Sequence, residues 1–498
     1  MLLTISKILI IIYSTSLIIF FIYSLSQLNL LINYLSHTKK LDKKIKWDFK
    51  NKDEIPSVTI QLPIYNELYV IERLLINIEK IDYPTEKLEI QVLDDSNDKT
   101  SILIEKLIKK FKKNGVDIVH LKRSKRIGYK AGALKDGLKK SKGEFIAIFD
   151  SDFIPESNFL LKTIPYFKDY KVGMIQTKWG YLNKDFSVLT KVQKFGLEAH
   201  FTLEQMGRNF KNHFINFNGT AGVWRKSTII DAGNWSGDTI TEDLDLSYRA
   251  QLKGWKFIYL NKIITPAELP VEINAIRSQQ YRWNKGGAEN FQKHIRNVLK
   301  SNTISFKTKI HATLHLLNST MFLNIFLVGF ISVPMIYFKE KLPELTWYFN
   351  ISNLFMISSL IFYFCYWFVH TKKYENLIFN IIDYTINFLT FYSITIAFSV
   401  HNSIAVIMGH LGVKSSFVRT PKFNLESSKK NLINQNIYID KSISFYSLIE
   451  GLMSFYFLFG IYISIQFGNE TNFGLFLFHL LLFLGYSFVA AQSFMKIK

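Results

Sequence analysis

The sequence predicts an α/β domain with a doubly wound, mostly parallel sheet, inserted between membrane-spanning helices. Three observations carry this. Short apolar runs alternate with helical periodicities from Pro56 to about Leu299, the order of a parallel sheet with crossover helices. Uncharged apolar stretches of membrane-crossing length lie on both sides of that region. Composition agrees, with 48% hydrophobic residues, 44 Phe and 25 Tyr in a chain of 498.

Lys and Arg number 61 against 40 Asp and Glu, a net charge of +21. Nucleic acid is the first partner such a balance suggests, and it is rejected. The basic residues sit beside apolar spans, as the positive-inside rule requires, and an anionic leaflet and anionic nucleotide substrates account for the charge. The single cysteine, Cys365, lies in an apolar run, so no intrachain disulfide forms. That suits a reducing cytoplasm.

Residues 1–36 form an anchor. Ile8 to about Leu28 is uncharged, longer than the apolar core of a signal peptide, and followed by no small-residue cleavage site. Lys39, Lys40, Lys43, Lys44 and Lys46 place its carboxyl end in the cytoplasm. Residues 37–300 form the cytoplasmic domain. Val58–Leu62 is a strand ending in PIYNE, Tyr69–Lys80 a helix, and Leu88–Leu93 a strand ending in Asp94-Asp95-Ser96. Thr100–Lys113 is a basic amphipathic helix, Asp117–Leu121 a strand, Lys130–Lys140 a helix and Phe145–Phe149 a strand. Neither GxGxxG nor GxxxxGK[ST] occurs, against a Rossmann dehydrogenase and a P-loop enzyme.

Residues 301–498 form a membrane domain in which Leu314–Phe338, Trp347–Val369, Ile443–Phe467 and Phe473–Phe494 are each long enough to span. Leu377–Met408 is apolar too, but Asn380, Asp383, Asn387, His401 and Asn402 punctuate it, and basic sequence flanks it on both sides. With both flanks cytoplasmic, it lies in the interface or dips in and returns. Five spans are expected.

The chemistry centres on EFIAIFDSDFIP, an apolar strand running into Asp150 and Asp152. In extended backbone residues i and i+2 point the same way, so both carboxylates face one ligand at the carboxyl end of a buried strand. Hard oxygen donors suit Mg²⁺ or Mn²⁺ bound with substrate phosphates, although a solvated turn reads the same. Asp94-Asp95 holds a nucleoside or caps a helix. Lys130, among glycines at a helix start, contacts a diphosphate or closes an ordinary turn. Asn218-Gly219-Thr220-Ala221-Gly222 admits a close ligand or bends the sheet. Thr241 caps a helix whose first turn carries Glu242 and Asp243; the same carboxylates at the mouth of a site offer a general base. Gln279, Arg282 and Trp283 share one helix face, for a phosphate and a sugar ring or for packing at the membrane surface.

In order and spacing, DDS, DSD, TED and QQYRW match the D, DxD, TED, QxxRW pattern. The chain therefore resembles glycosyltransferase family 2 in its cellulose-synthase-like branch. QVLDDSNDKT, GYKAGALKDGL, HFTLEQ, FNGTAGVWRK, TEDLDLSYRAQLKGWKFIYL and ELP…QQYRWNKGGAENF are most similar to the plant mannan and glucomannan synthase group and its bacterial relatives. The likeness is dense over about Pro56–Lys300. Farther on, Phe417-Val418-Arg419-Thr420-Pro421-Lys422 resembles the FxVTxK gating loop, with Arg419 where that pattern has Val.

The resemblance implies a GT-A fold and an inverting single displacement by a processive enzyme. It would polymerise GDP-mannose or UDP-glucose into a β-1,4-linked polysaccharide and export it across the bilayer. By the same resemblance Asp94, Asp95, Lys130, Asp150, Gln279 and Arg282 bind the nucleotide sugar, and Asp150 with Asp152 holds Mg²⁺ or Mn²⁺. Asp243, with Glu242 beside it, is the catalytic carboxylate. Trp283, Asn218, Gly219 and Thr220 receive the acceptor, and Phe417, Thr420 and Lys422 belong to a gating loop at about 409–425. The alternative is transfer of one sugar to a lipid, as glucosylceramide synthases do. Residue usage rich in Lys, Ile, Asn and Phe suggests an AT-rich genome and so a bacterial inner membrane, with a eukaryotic Golgi the alternative.

Overall fold

Strands form where branched and aromatic residues alternate between two buried faces. In the computed structural model, residues 2–37, 54–370, 374–415, 417–425, 436–439, 442, 444–467 and 473–495 are described. The lysine cluster at 39–46 and much of the basic loop before residue 441 lie outside them. Helix α1 (Leu2–His37) leads to a domain built from β1 (Val58–Ile64), α2 (Ile71–Glu79), β2 (Leu88–Asp94), α3 (Thr100–Lys113), β3 (Ile118–Lys122), α4 (Tyr129–Lys140) and β4 (Phe145–Ile148). After it come β5 (Val172–Tyr181), α5 (Val188–Ala199), β6 (Gly222–Arg225), α6 (Glu242–Leu252), β7 (Lys256–Ala267) and α7 (Ile273–Lys300).

The seven strands order as β3-β2-β1-β4-β6-β5-β7. β1 pairs in parallel with β2 and β4, setting Val58 opposite both Leu88 and Phe145. β6 runs antiparallel to β4 and β5, while β7 is parallel to β5. Sequence alternation does not foretell that reversed strand, which is four residues long. Along β4, Phe145 and Ala147 face one core with Ile60, Leu62 and Val92, while Ile146 and Ile148 face another with Leu134, Trp224 and Leu246. That two-residue period is what a sheet covered on both faces requires. Some polar side chains in the covered faces pair across strands, as where Thr59 Oγ1 donates to Glu89 Oε2 at 2.7 Å.

Next come α8 (Phe306–Leu316) and α9 (Met321–Lys341), a broken stretch of helices Thr346–Ser352 and Ile357–Trp367, then α10 (Leu377–Ala397), α11 (Ser399–His410), α12 (Phe445–Gln466) and α13 (Phe473–Phe494). Among the described residues six helical stretches, the broken one at 343–367 included, are long and apolar enough to cross a membrane. The span expected from Leu314 begins later, because a 3-10 turn at Asn318–Thr320 separates α8 from α9. The segment 377–408 is two helices meeting at Phe398. The first has the length and composition of a sixth crossing. The second buries His401 and Asn402, and Asn402 Nδ2 donates to Gln280 Oε1 on α7 at 2.7 Å.

Candidate active site

The carboxyl ends of β1, β2 and β4 open into a cavity of about 230 Å³, closed opposite by the start of α6 and one face of α7. Asp150 and Asp152 both line it. They do so for a different reason from the one alternation suggests: β4 ends at Ile148, and the pair sits in a turn where Phe153 N–H donates to Asp150 O at 3.1 Å. Asp150 Oδ1 accepts from Lys130 Nζ at 2.6 Å, and Asp152 Oδ2 from Lys422 Nζ at 2.8 Å and Glu268 N–H at 3.1 Å. The other oxygen of each carboxylate has no hydrogen bond among the described residues. No cluster of three or more His, Cys, Asp or Glu offers a closed metal cage among those residues. Two free carboxylate oxygens on one wall nonetheless fit a hard divalent ion that takes its remaining ligands from phosphate and water.

Lys130 enters from the first turn of α4, whose cap Gly128 is left-handed at φ +70°. Its ammonium also donates to Gly219 O at 2.9 Å. Burial alone would depress it, yet Asp150 and Glu242 hold its pKa above the ordinary lysine range. Across the cavity, burial raises Glu242 despite Lys130. Burial, with the adjacent Glu242 carboxylate, pushes Asp243 up to about 7. Gly219, at φ +80°, lets the wall approach this pair: a Cβ there would stand 3.1 Å from Asp243 Oδ2 and 3.4 Å from Lys130 Nζ.

Asn218 lines the cavity with its Nδ2 buried and without a partner among the described residues, while its Oδ1 accepts from Gln205 Nε2 at 3.1 Å. Thr220 does not reach the cavity. It is fully buried, and its Oγ1 accepts the Asp150 N–H at 2.8 Å, so it steadies the carboxylate from behind. Asp94 lies behind the wall too. Its oxygens face Ser96 N at 2.9 Å, Ser101 Oγ at 2.5 Å and His120 Nε2 at 2.8 Å. Burial would raise this carboxyl, but those partners hold its pKa below the usual range. Asp95 is the one that lines the cavity, gripped by Arg123, whose Nε lies 2.8 Å from its Oδ1. Thr241 occupies the cap position of α6 without capping it; its hydroxyl instead accepts from Asn290 Nδ2 at 2.9 Å.

Gln279, Arg282 and Trp283 share one face of α7 and all line the cavity. Burial pushes the Arg282 guanidinium down to about 10, against Asp150 and Glu242. It donates to Val418 O and to Thr420 Oγ1, the latter at 2.9 Å, with its centre 4.9 Å from the Phe417 ring. Phe417, Thr420 and Lys422 thus lie across the mouth. Four charged residues there escape a reading of the sequence for site chemistry: Glu67, Arg126, Glu268 and Arg419. Glu67 belongs to PIYNE and Glu268 to ELP, so each had a signal. Arg126 had none, yet its guanidinium lies 3.4 Å from the centre of the Tyr65 ring.

The family described as Glycosyltransferase like family 2 matches residues 56–286. A probable glucomannan 4-beta-mannosyltransferase 11 of Oryza sativa subsp. japonica is 40% identical over 300 residues, 59% of this chain and 51% of that one. Glucomannan 4-beta-mannosyltransferase 2 of Arabidopsis thaliana is 38% identical over 284 residues, 55% of this chain and 53% of that one. The chain spans about half the length of these curated relatives. Among solved structures, the mannosyltransferase PcManGT from Pyrobaculum calidifontis, in complex with GDP-Man and Mn²⁺, shares the fold. Its TM-score is 0.52 at 18% identity, over 80% of this chain and 99% of that one.

Proposed function

We propose, from the match of residues 56–286 to glycosyltransferase like family 2, that the chain is a membrane-embedded inverting β-glycosyltransferase. It polymerises a nucleotide-activated hexose, GDP-mannose or UDP-glucose, into a β-1,4-linked polysaccharide and passes the product through its own helices. One observation carries this reading: Lys130, Asp150, Asp152, Asp243 and Arg282 converge on one cavity from four separate segments. The names of the similar proteins favour mannose as the sugar and GDP as the carrier.

Asp95 and the Tyr65 side of the cavity receive the nucleoside, and Lys130, Gln279 and Arg282 hold the diphosphate. Asp150 and Asp152 would hold Mg²⁺ or Mn²⁺, which supplies counter-charge to the diphosphate when bound. Asp243 takes the proton of the acceptor hydroxyl. The oxygen so freed bonds to the anomeric carbon as the bond from that carbon to the diphosphate oxygen breaks, so configuration inverts in one displacement. A carboxylate near 7 is matched to that task at neutral pH. Lys130 and Arg282 balance charge on the departing diphosphate. Trp283 stacks under the terminal sugar, and the unpartnered Asn218 Nδ2 is a donor for an acceptor hydroxyl.

A second cavity, of about 140 Å³, shares Leu197, Gln279 and Trp283 with the first and is walled by α5, α7 and α10. It supports a path from the acceptor platform into the helices. The catalytic domain faces the cytoplasm in this reading, of a bacterial inner membrane or a Golgi membrane. The test is donor turnover in inverted membrane vesicles, with GDP-mannose and UDP-glucose compared under Mg²⁺, Mn²⁺ or chelator. A metal-dependent, mannanase-sensitive polymer from GDP-mannose supports a mannan synthase, and a cellulase-sensitive one from UDP-glucose a glucan synthase. A single-sugar, lipid-extractable product overturns polymerisation in favour of lipid glycosylation.

A further inference from the structure

The three residues before the Glu242–Asp243 pair are pinned to α7 within two turns of Arg282. Glu289 Oε2 accepts the Ile240 N–H at 2.8 Å. Asn290 Nδ2 donates to Thr241 Oγ1 at 2.9 Å and to Thr241 O at 3.3 Å. Gly286 permits this approach, since a Cβ there would stand 2.3 Å from Thr241 Oγ1. Beside Glu289 lies Lys285, 1% exposed. Its Nζ stands 3.5 Å from Glu289 Oε1 and donates to Ser415 Oγ at 2.5 Å, two residues before Phe417.

A lysine buried in a helix interface is costly unless it is paired and hydrogen-bonded. Here its two partners among the described residues belong to different parts of the chain. Glu289 holds the turn that aims Asp243, and Ser415 stands at the root of the segment lying across the cavity. Helix α11 fixes the height of that root, packing so closely on α7 that a Cβ on Gly409 would stand 2.5 Å from Lys285 O. A continuous polar path therefore joins Ser415, Lys285, Glu289 and Ile240, parts of the chain remote in sequence. None of the four is among the residues assigned above to donor, acceptor or metal.

We propose that Glu289 and Asn290 are positioning residues for Asp243, and that Lys285 makes the aim of Asp243 depend on where the root of the gating segment lies. This rests on the reading of Asp243 as the base. Movement of Ser415 releases one of the two partners of Lys285 and redistributes its ammonium toward Glu289, shifting the 239–241 turn. An error of about 1 Å in such a turn costs on the order of 100-fold in rate. Loss of the Glu289 contact by itself leaves donor binding untouched, because Lys130, Asp150 and Arg282 take no hydrogen bond from Glu289 or Asn290.

The experiment uses the full chain in lipid nanodiscs, with steady-state donor turnover, nucleoside diphosphate affinity by calorimetry, and thermal unfolding. Variants are Glu289→Ala, Glu289→Gln, Ser415→Ala, Asp243→Asn and, as an exposed control on α7, Lys300→Gln. Glu289→Ala is expected to lower kcat roughly 10- to 100-fold with donor KM and nucleotide affinity within about twofold. Glu289→Gln, which keeps an oxygen for the Ile240 N–H, recovers most of that loss. Ser415→Ala lowers kcat roughly three- to tenfold with no rise in donor KM, although Ser415 touches no site residue.

The proposal falls if KM rises in step with the loss of kcat, if Glu289→Gln is no better than Glu289→Ala, or if Ser415→Ala turns over like wild type. Should Glu289→Ala fail to fold, the exposed Ser415 decides alone. Asp243→Asn separates the two layers. If it retains turnover, the reading of the base fails. If it is inactive and the split is absent, only this inference fails.

Discussion

Replacing Arg419 with valine, the residue of the gating pattern, tests whether the segment across the cavity is latched. Arg419 Nε and Nη2 lie 3.0 and 2.6 Å from Glu67 Oε1 and Oε2, a fork-to-fork pair with side chains only 12% and 11% exposed. The guanidinium also lies 4.2 Å from the centre of the Tyr438 ring. A charged hydrogen-bonded pair this sheltered contributes about 1.5–3 kcal/mol, so its loss multiplies the open-to-closed ratio roughly 10- to 150-fold. The segment carries its own probes, because the Phe423 and Asn424 N–H groups donate to Glu268 Oε2 at 3.0 and 3.2 Å. Amide hydrogen exchange at those positions is expected to quicken by that factor in Arg419→Val, with the protection of β1 and β4 unchanged. Glu67→Gln should do the same, and the double variant no more than either single one. Unchanged exchange in Arg419→Val, or additive effects in the double variant, refutes the latch.

Asp243, raised to about 7, predicts that kcat/KM for donor climbs about tenfold between pH 6 and 8, as its ionised fraction goes from about a tenth to about nine tenths. A flat profile over that range would show that another group titrates. The same shift has a sign for stability. The fold favours the neutral carboxyl, so this group's contribution falls as pH rises from about 4 through 7, and Asp243→Asn should melt no lower than wild type at pH 8 while losing transfer. Gly219→Ala meets both a left-handed backbone and the Asp243 and Lys130 side chains, and turnover should drop at least about tenfold with the fold retained, as read by turnover and circular dichroism. Lys422 donates to the Asp152 oxygen on the cavity wall, so Lys422→Met should tighten Mn²⁺ binding severalfold in the absence of donor, measured by electron paramagnetic resonance, whereas Asp152→Asn should abolish it.

Legibility in the sequence followed the range of the interaction that sets each feature. Thr100–Lys113 was readable to the residue, and β1, β2 and β4 to within two, because alternation and amphipathic spacing are local. The parallel order placed the carboxyl ends of these strands together, and that located the site. Neighbouring polar residues were harder. Asp94 and Asp95 are adjacent and so point to opposite sides of the chain. Which of them meets the cavity depends on Ser101 and His120, which occupy Asp94 from other elements. Thr220 turns inward after Gly219 for the same reason, while the Asp150–Asp152 pair converges through a turn that alternation does not describe.

Least legible were the charges whose partners lie hundreds of residues away. Arg419 reads from sequence as a departure from a pattern, yet Glu67, 352 positions earlier, makes it one half of a bidentate pair. Lys422 and Asp152 are 270 positions apart and equally invisible to periodicity. These pairs have a common logic. Between them Arg282, Asp152 and Glu67 all take their partners from residues 418–422. In the proposed function a diphosphate held by Lys130 and Arg282 must therefore break or share the contacts that hold residues 418–422 across the cavity. Donor affinity and segment closure are on that account two readouts of one equilibrium. A substitution that loosens the segment while leaving Lys130 and Asp150 intact should strengthen apparent donor binding by the factor it adds to the open population, up to the limit where the open form predominates.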